Sequence, residues 1–141
     1  MPVDSGSPPR SSRSHAEYRE RLRGEHLPLA FVDLELLLRN ADSLASRAGD
    51  KPIRLASKSI RCRELLRRVL AHNPIFQGIL CFSAGEAAHL AAHDFRDLVV
   101  AYPTVDAHDI AAVCVQLARG AQICLMVDEP GQLAPLVAAA A

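Results

Sequence analysis

The stretch Ile53-Arg54-Leu55-Ala56-Ser57-Lys58-Ser59-Ile60-Arg61-Cys62 decides how the rest of the chain is read. Pro52 bounds a short strand predicted over residues 53–58, in which Ile and Leu alternate with other residues. Ser59 is the expected cap of a following helix that carries Cys62, Leu65, Leu66, Val69 and Leu70 on one face. Lys58 is thereby placed at the carboxyl end of a strand, just ahead of a helix, where β/α barrels assemble their active sites. The chain has only two lysines, Lys51 and Lys58, against fourteen arginines. Arginine serves here wherever plain positive charge is enough, so a lysine at this place is read as needed for its amine, which condenses with carbonyl compounds. The plain alternative is a solvated lysine at a strand end.

The same pattern repeats on either side. Upstream, Pro28 opens LAFVDL, an expected strand ending at Asp33. Asp33 then caps a helix bearing Leu34, Leu37, Leu38, Ala41, Leu44, Ala45 and Ala48, which Gly49 closes. Residues 1–14 are mostly Pro, Ser, Gly and Arg and are expected to be a disordered tail. His15 to Glu25 is charged and suits a short surface helix. Downstream, Pro74 stops the helix after Lys58. GILCF (78–82) is a buried strand, and Ser83-Ala84-Gly85-Glu86 is a capping box that opens a helix running to about His93. DLVVAY (97–102) is another strand, broken by Pro103. Asp106 caps a helix ended by Gly120, AQICLMV (121–127) is a further strand, and Asp128-Glu129-Pro130 starts a last helix.

Short apolar strands alternating with helices of ten to fifteen residues mark βαβ units and a parallel sheet. Periodicity alone leaves open whether the sheet is open or closed. No GxGxxG or GxxxxGK[ST] follows any strand, which weighs against a dinucleotide or P-loop nucleotide site. At 141 residues the chain is one domain or part of one. Its formal net charge of zero gives no broad basic surface for nucleic acid. No apolar run is long enough to span a bilayer, and the start of the chain does not read as a secretory signal. Cys62, Cys81, Cys114 and Cys124 form no CxxC pair and read as free thiols of a cytoplasmic protein.

Taken in order, PLAFVDLELLLRN (28–40), RLASKS (54–59) and AGEAAHLAAHDFRDLVVAYPTVD (84–106) resemble the alanine-racemase-type barrel of pyridoxal-phosphate enzymes, fold type III. Within that group the likeness is to the D-threonine aldolase, D-serine dehydratase and amino-acid deaminase branch. The resemblance implies a partial (β/α)8 barrel of the TIM type, about four βα units making its N-terminal half. Residues 1–27 would be tail and charged helix, and residues 28–141 the N-terminal part of the cofactor-binding barrel. It also implies pyridoxal 5'-phosphate as cofactor, held through a Schiff base on Lys58, and a small amino-acid substrate. The implied activity is that of a lyase, a deaminase or aldolase acting on small hydroxy amino acids. A non-catalytic cofactor carrier, an amino-acid racemase and an unrelated α/β binding module are the alternatives. Ser59-Ile60-Arg61-Cys62 stands where the racemase branch has a tyrosine-bearing stretch, which favours lyase chemistry.

Strand alternation adds expectations for the site. If Lys58 points into the barrel, Ala56 and Arg54 do too, and Leu80 and Val100 join them on the barrel face. Arg54 and Lys58 match the Arg and Lys of the aldolase branch's R-P-H-x-K, while Ala56 replaces its His. Arg54, Ser59 and Tyr102 are the further candidate cofactor contacts, with Arg61 as a candidate anion contact. His89 and His93, four apart on a helix, read as surface or packing residues, and no metal site is expected. Four strands of a barrel leave open edges, so a homodimer is an expected partner state.

Overall fold

The computed structural model describes residues 13–140. Of the expected tail, residues 1–12 lie outside the described residues. Its last two residues are structured: Arg13 pairs with Asp33, and Ser14 caps the first helix. The chain divides into two compact units, one ending at Gly49 and the other running from Asp50. Pro28, the expected start of the barrel part, falls inside the first of them.

In the first unit, α1 (His15–Arg21) opens with a full capping box between Ser14 and Glu17. Helix α2 (Leu34–Ala48) is capped by Asp33, whose Oδ1 accepts from the Leu36 N–H at 3.1 Å. Gly49 ends α2 at a φ of 61°. The segment LAFVDL between them is not a strand: Leu29 to Asp33 forms no ladder among the described residues. Extended backbone becomes a strand only beside a partner that takes its N–H and C=O groups. The Tyr18 hydroxyl, the Leu36 N–H and the Arg13 guanidinium all donate to Asp33 and hold its carboxyl down to about 2.

The second unit contains β1 (Ile53–Ala56), α3 (Ser57–Ile60), α4 (Arg63–His72), β2 (Phe76–Cys81), α5 (Ala84–Ala91), β3 (Leu98–Val100), α6 (Ala107–Ala118) and β4 (Ile123–Leu125). A 3-10 turn at Pro130–Gln132 leads into α7 (Leu133–Ala140). The strands form one sheet in the order β1-β2-β3-β4, every pair parallel. Sequential order with a helix after each strand is the wall of a (β/α)8 barrel, here four βα units of it.

Alternation along the strands separates two faces. Leu55, Ile79, Cys81, Leu98 and Val100 are buried. Ala84 and Ala88 of α5 and Val113 of α6 form a core with Ala112, Ile123 and Leu125. The run of small residues on α5 lets it approach its neighbours closely, and its densest helix contact is with α6. The other face carries Ala56, Leu80 and Val99, all only partly covered. Val100 was expected on that face beside Leu80. The register instead pairs Leu80 with Val99 and Cys81 with Val100. Val100 therefore lies on the core side, at 0% exposure.

The helix expected to start at Ser59 is two pieces. Strand β1 ends at Ala56, and residues 57–60 already turn helically. Arg61 then adopts the left-handed conformation, φ 46°, with its N–H bonded to the Ser57 carbonyl at 2.8 Å, which ends the turn. Cys62, not Ser59, is the N-cap of α4. At the amino end of the sheet, the Arg54 guanidinium reaches across β2 to Asp97, bonding its carbonyl at 2.7 Å and its carboxylate at 2.8 Å. It passes over Gly78, which has a φ of 68° and whose missing Cβ would run into the Arg54 guanidinium and the Asp97 carbonyl. Backbone conformation and space both require glycine there. Gly78→Ala is expected to destabilise the chain by roughly 2 kcal/mol or more, the scale of a strained left-handed residue with overlap added. Urea unfolding of the variant beside the parent checks it.

Candidate functional site

The carboxyl ends of β1, β2 and β3 bring together an amine and two aromatic rings. Lys58 lies two residues beyond β1, in the α3 turn, so the turn and not the strand presents its side chain. Its Nζ stands 5.8 Å from the centroid of the Tyr102 ring, within reach of a cation–π contact. Tyr102 in turn meets Phe82 edge to face at a centroid distance of 5.1 Å. The two rings are 51% and 46% exposed, a pair of large apolar groups left in water beside an amine. Ala56, Lys58, Leu80, Cys81, Phe82, Ala101 and Tyr102 line a hollow of about 70 Å³. Ligand pockets commonly run to several hundred Å³, so this hollow is one wall of a site.

The other expected contacts are dispersed. Arg54 is four residues before Lys58 and engaged with Asp97 at the opposite end of the strands. Ser59 is exposed on α3 and does not line the hollow. Arg61 stands with its guanidinium 6.0 Å from the Phe82 ring centroid. It faces a second hollow, of about 270 Å³, together with Arg63, His89 and Glu86. The His89 and His93 rings lie 4.4 Å apart, tilted at 47°, and His93 Nδ1 lies 2.8 Å from the His89 carbonyl. Among the described residues no group of three or more His, Cys, Asp or Glu is placed to hold a metal ion. No helix among them is long and apolar enough to cross a membrane.

Sequence reasoning missed two residues, Glu86 and Phe82. Ser83-x-x-Glu86 has the spacing of a capping box, and half of it forms: Ser83 Oγ accepts from the Glu86 N–H at 3.1 Å. The Glu86 side chain goes elsewhere. Its Oε2 accepts from the Phe82 N–H at 2.7 Å and from the Ser57 hydroxyl at 2.7 Å. Ser57 is 1% exposed, and a buried hydroxyl needs a partner. A serine on the core-facing side of an apolar strand end was the signal available in the sequence. Burial, and secondarily the nearby Glu86 carboxyl, push the Cys81 thiol up to about 12.

No protein-family model matches the chain, and no curated protein matches it in sequence. Solved structures do. The crystal structure of D-threonine aldolase from Filomicrobium marinum superposes with a TM-score of 0.73 at 22% identity, over 81% of this chain and 31% of that one. The likeness shows the fold, a partial (β/α)8 barrel, and the chain spans about a third of that enzyme's length.

Thiol chemistry is expected to sort by exposure. Iodoacetamide on the native chain at pH 8 modifies the exposed Cys62 and Cys124 while Cys81 stays unmodified, with its protection lost in denaturant. Peptide mass mapping over a time course checks this order.

Proposed function

We propose that this chain supplies the lysine-bearing wall of a pyridoxal-phosphate-dependent amino-acid lyase, a deaminase or aldolase acting on small hydroxy amino acids. The observation that carries the reading is the placement of the Lys58 amine against the Phe82–Tyr102 ring pair, at the carboxyl mouth of a partial barrel. The match in fold to a D-threonine aldolase supports it.

The residues present fit the aldehyde end and the flat ring of that cofactor. Lys58 offers an exposed primary amine, the group an aldehyde condenses with. Ala56, Leu80 and Ala101 give the hollow an apolar floor, and Tyr102 and Phe82 give it aromatic walls. When bound, the cofactor supplies an electron sink for charge released at the substrate Cα. This chain's residues hold the amine, exclude water from one side of it and set the orientation of the rings. Arg54 belongs to the sheet's amino end and is assigned a structural part, bridging β1 to the residue before β3.

The two lysines make the test clean, because Lys51 is an internal control. The chain is incubated with limiting pyridoxal phosphate, reduced with borohydride, digested and mapped. Lys58 is expected to carry the pyridoxyl group over Lys51 by roughly tenfold, equivalent to about 1.4 kcal/mol. Lys58→Ala leaves only the background on Lys51. Equal labelling of the two lysines overturns the assignment.

A further inference from the structure

We propose that Glu86 is the positioning residue for the Lys58 amine, an inference that rests on the reading of Lys58 given above. One carboxyl oxygen, Glu86 Oε2, accepts from two donors that belong to different strand–helix turns. The first is the hydroxyl of Ser57, the residue directly before Lys58 and the first of the α3 turn. The second is the N–H of Phe82, the residue directly after β2. Both bonds measure 2.7 Å. A second, longer contact from the Ser57 hydroxyl to the Leu80 carbonyl, at 3.2 Å, ties the same turn to β2.

Fixing the backbone at residues 57 and 82 fixes what each turn presents. Residue 57 sets where the Lys58 side chain leaves the turn. Residue 82 sets the ring that packs edge to face on Tyr102, and Tyr102 is the ring beneath the Lys58 Nζ. Glu86 touches neither the amine nor the hollow around it. It acts through Ser57 and Phe82, from the side of the sheet away from the hollow. Its own backbone N–H is bonded to Ser83 Oγ, so truncating the side chain leaves the α5 cap in place.

Three variants test the role: Glu86→Ala removes the acceptor, Glu86→Gln keeps a carbonyl oxygen able to accept from both donors, and Ser57→Ala removes one of the two arms. The readout is the ratio of pyridoxyl label on Lys58 to label on Lys51 after limiting pyridoxal phosphate and borohydride, measured on chains shown folded by circular dichroism and urea unfolding. A merely structural contribution moves the urea midpoint and leaves that ratio alone. Glu86→Ala is expected to lower the ratio roughly tenfold, Ser57→Ala to lower it by a smaller factor, and Glu86→Gln to hold it within about twofold of the parent. Should Glu86→Ala fail to fold, the contrast between Ser57→Ala and Glu86→Gln decides the matter. An unchanged ratio in folded Glu86→Ala, or in Ser57→Ala where that contrast decides, overturns the positioning role alone. So does a Glu86→Gln chain that falls as far as either. Equal labelling of both lysines in the parent overturns the reading of Lys58 itself.

Discussion

One carboxyl oxygen shared by two donors organises the carboxyl end of this sheet. Ser57 is 1% exposed; without the Glu86 side chain its hydroxyl would keep only a 3.2 Å contact to the Leu80 carbonyl, and the Phe82 N–H would lose its acceptor. A satisfied hydrogen bond contributes only about 1 kcal/mol net, but an abandoned buried donor costs about 1–3 kcal/mol. The asymmetry matters more than the sum. The bonded arrangement is favoured chiefly because alternatives leave polar groups stranded, so the two turns are held in one relative position. A flexible lysine gains a defined place to start from.

The amino end of the sheet is held by different means. There Arg54 crosses above Gly78 to Asp97, joining β1 to the residue before β3 over the intervening strand. The contact is partly exposed, so its charge is screened and its worth lies mainly in geometry. Between these two ties the sheet buries one face under α4, α5 and α6 and leaves the other partly covered. The difference shows in neighbouring residues: Val100 is sealed at 0% exposure while Val99 beside it is not. One face closed under helices and one left partly covered agree with the partial-barrel fold match.

Much of the fold was legible because the signals were local. Asp33 and Gly49 bound α2 as their chemistry requires, Asp106 caps α6, and alternating strand and helix periods give a parallel sheet, whose sequential order the barrel resemblance implied. The reading failed where the answer depended on a partner. LAFVDL has strand composition, yet no strand pairs with it among the described residues. The Lys58 stretch reads as one strand and one helix. A left-handed Arg61 divides the helix, a conformation that nothing in the arginine side chain announces. Lys58 and Tyr102, both expected near strand ends, lie side by side there. Arg54 was misplaced because alternation gives a face but not a depth along the barrel. Glu86 was seen as a cap because its backbone is one. Its side-chain partner lies 29 residues away at Ser57, and no local pattern encodes that distance.

The most direct measurement is a crystal structure of the chain after treatment with pyridoxal phosphate and borohydride. The account predicts density continuous from the Lys58 Nζ, with the cofactor ring lodged beside Phe82 and Tyr102 and the Glu86 bonds to Ser57 and Phe82 intact. Density attached at Lys51, or a cofactor seated away from the carboxyl ends of β1 to β3, would contradict it.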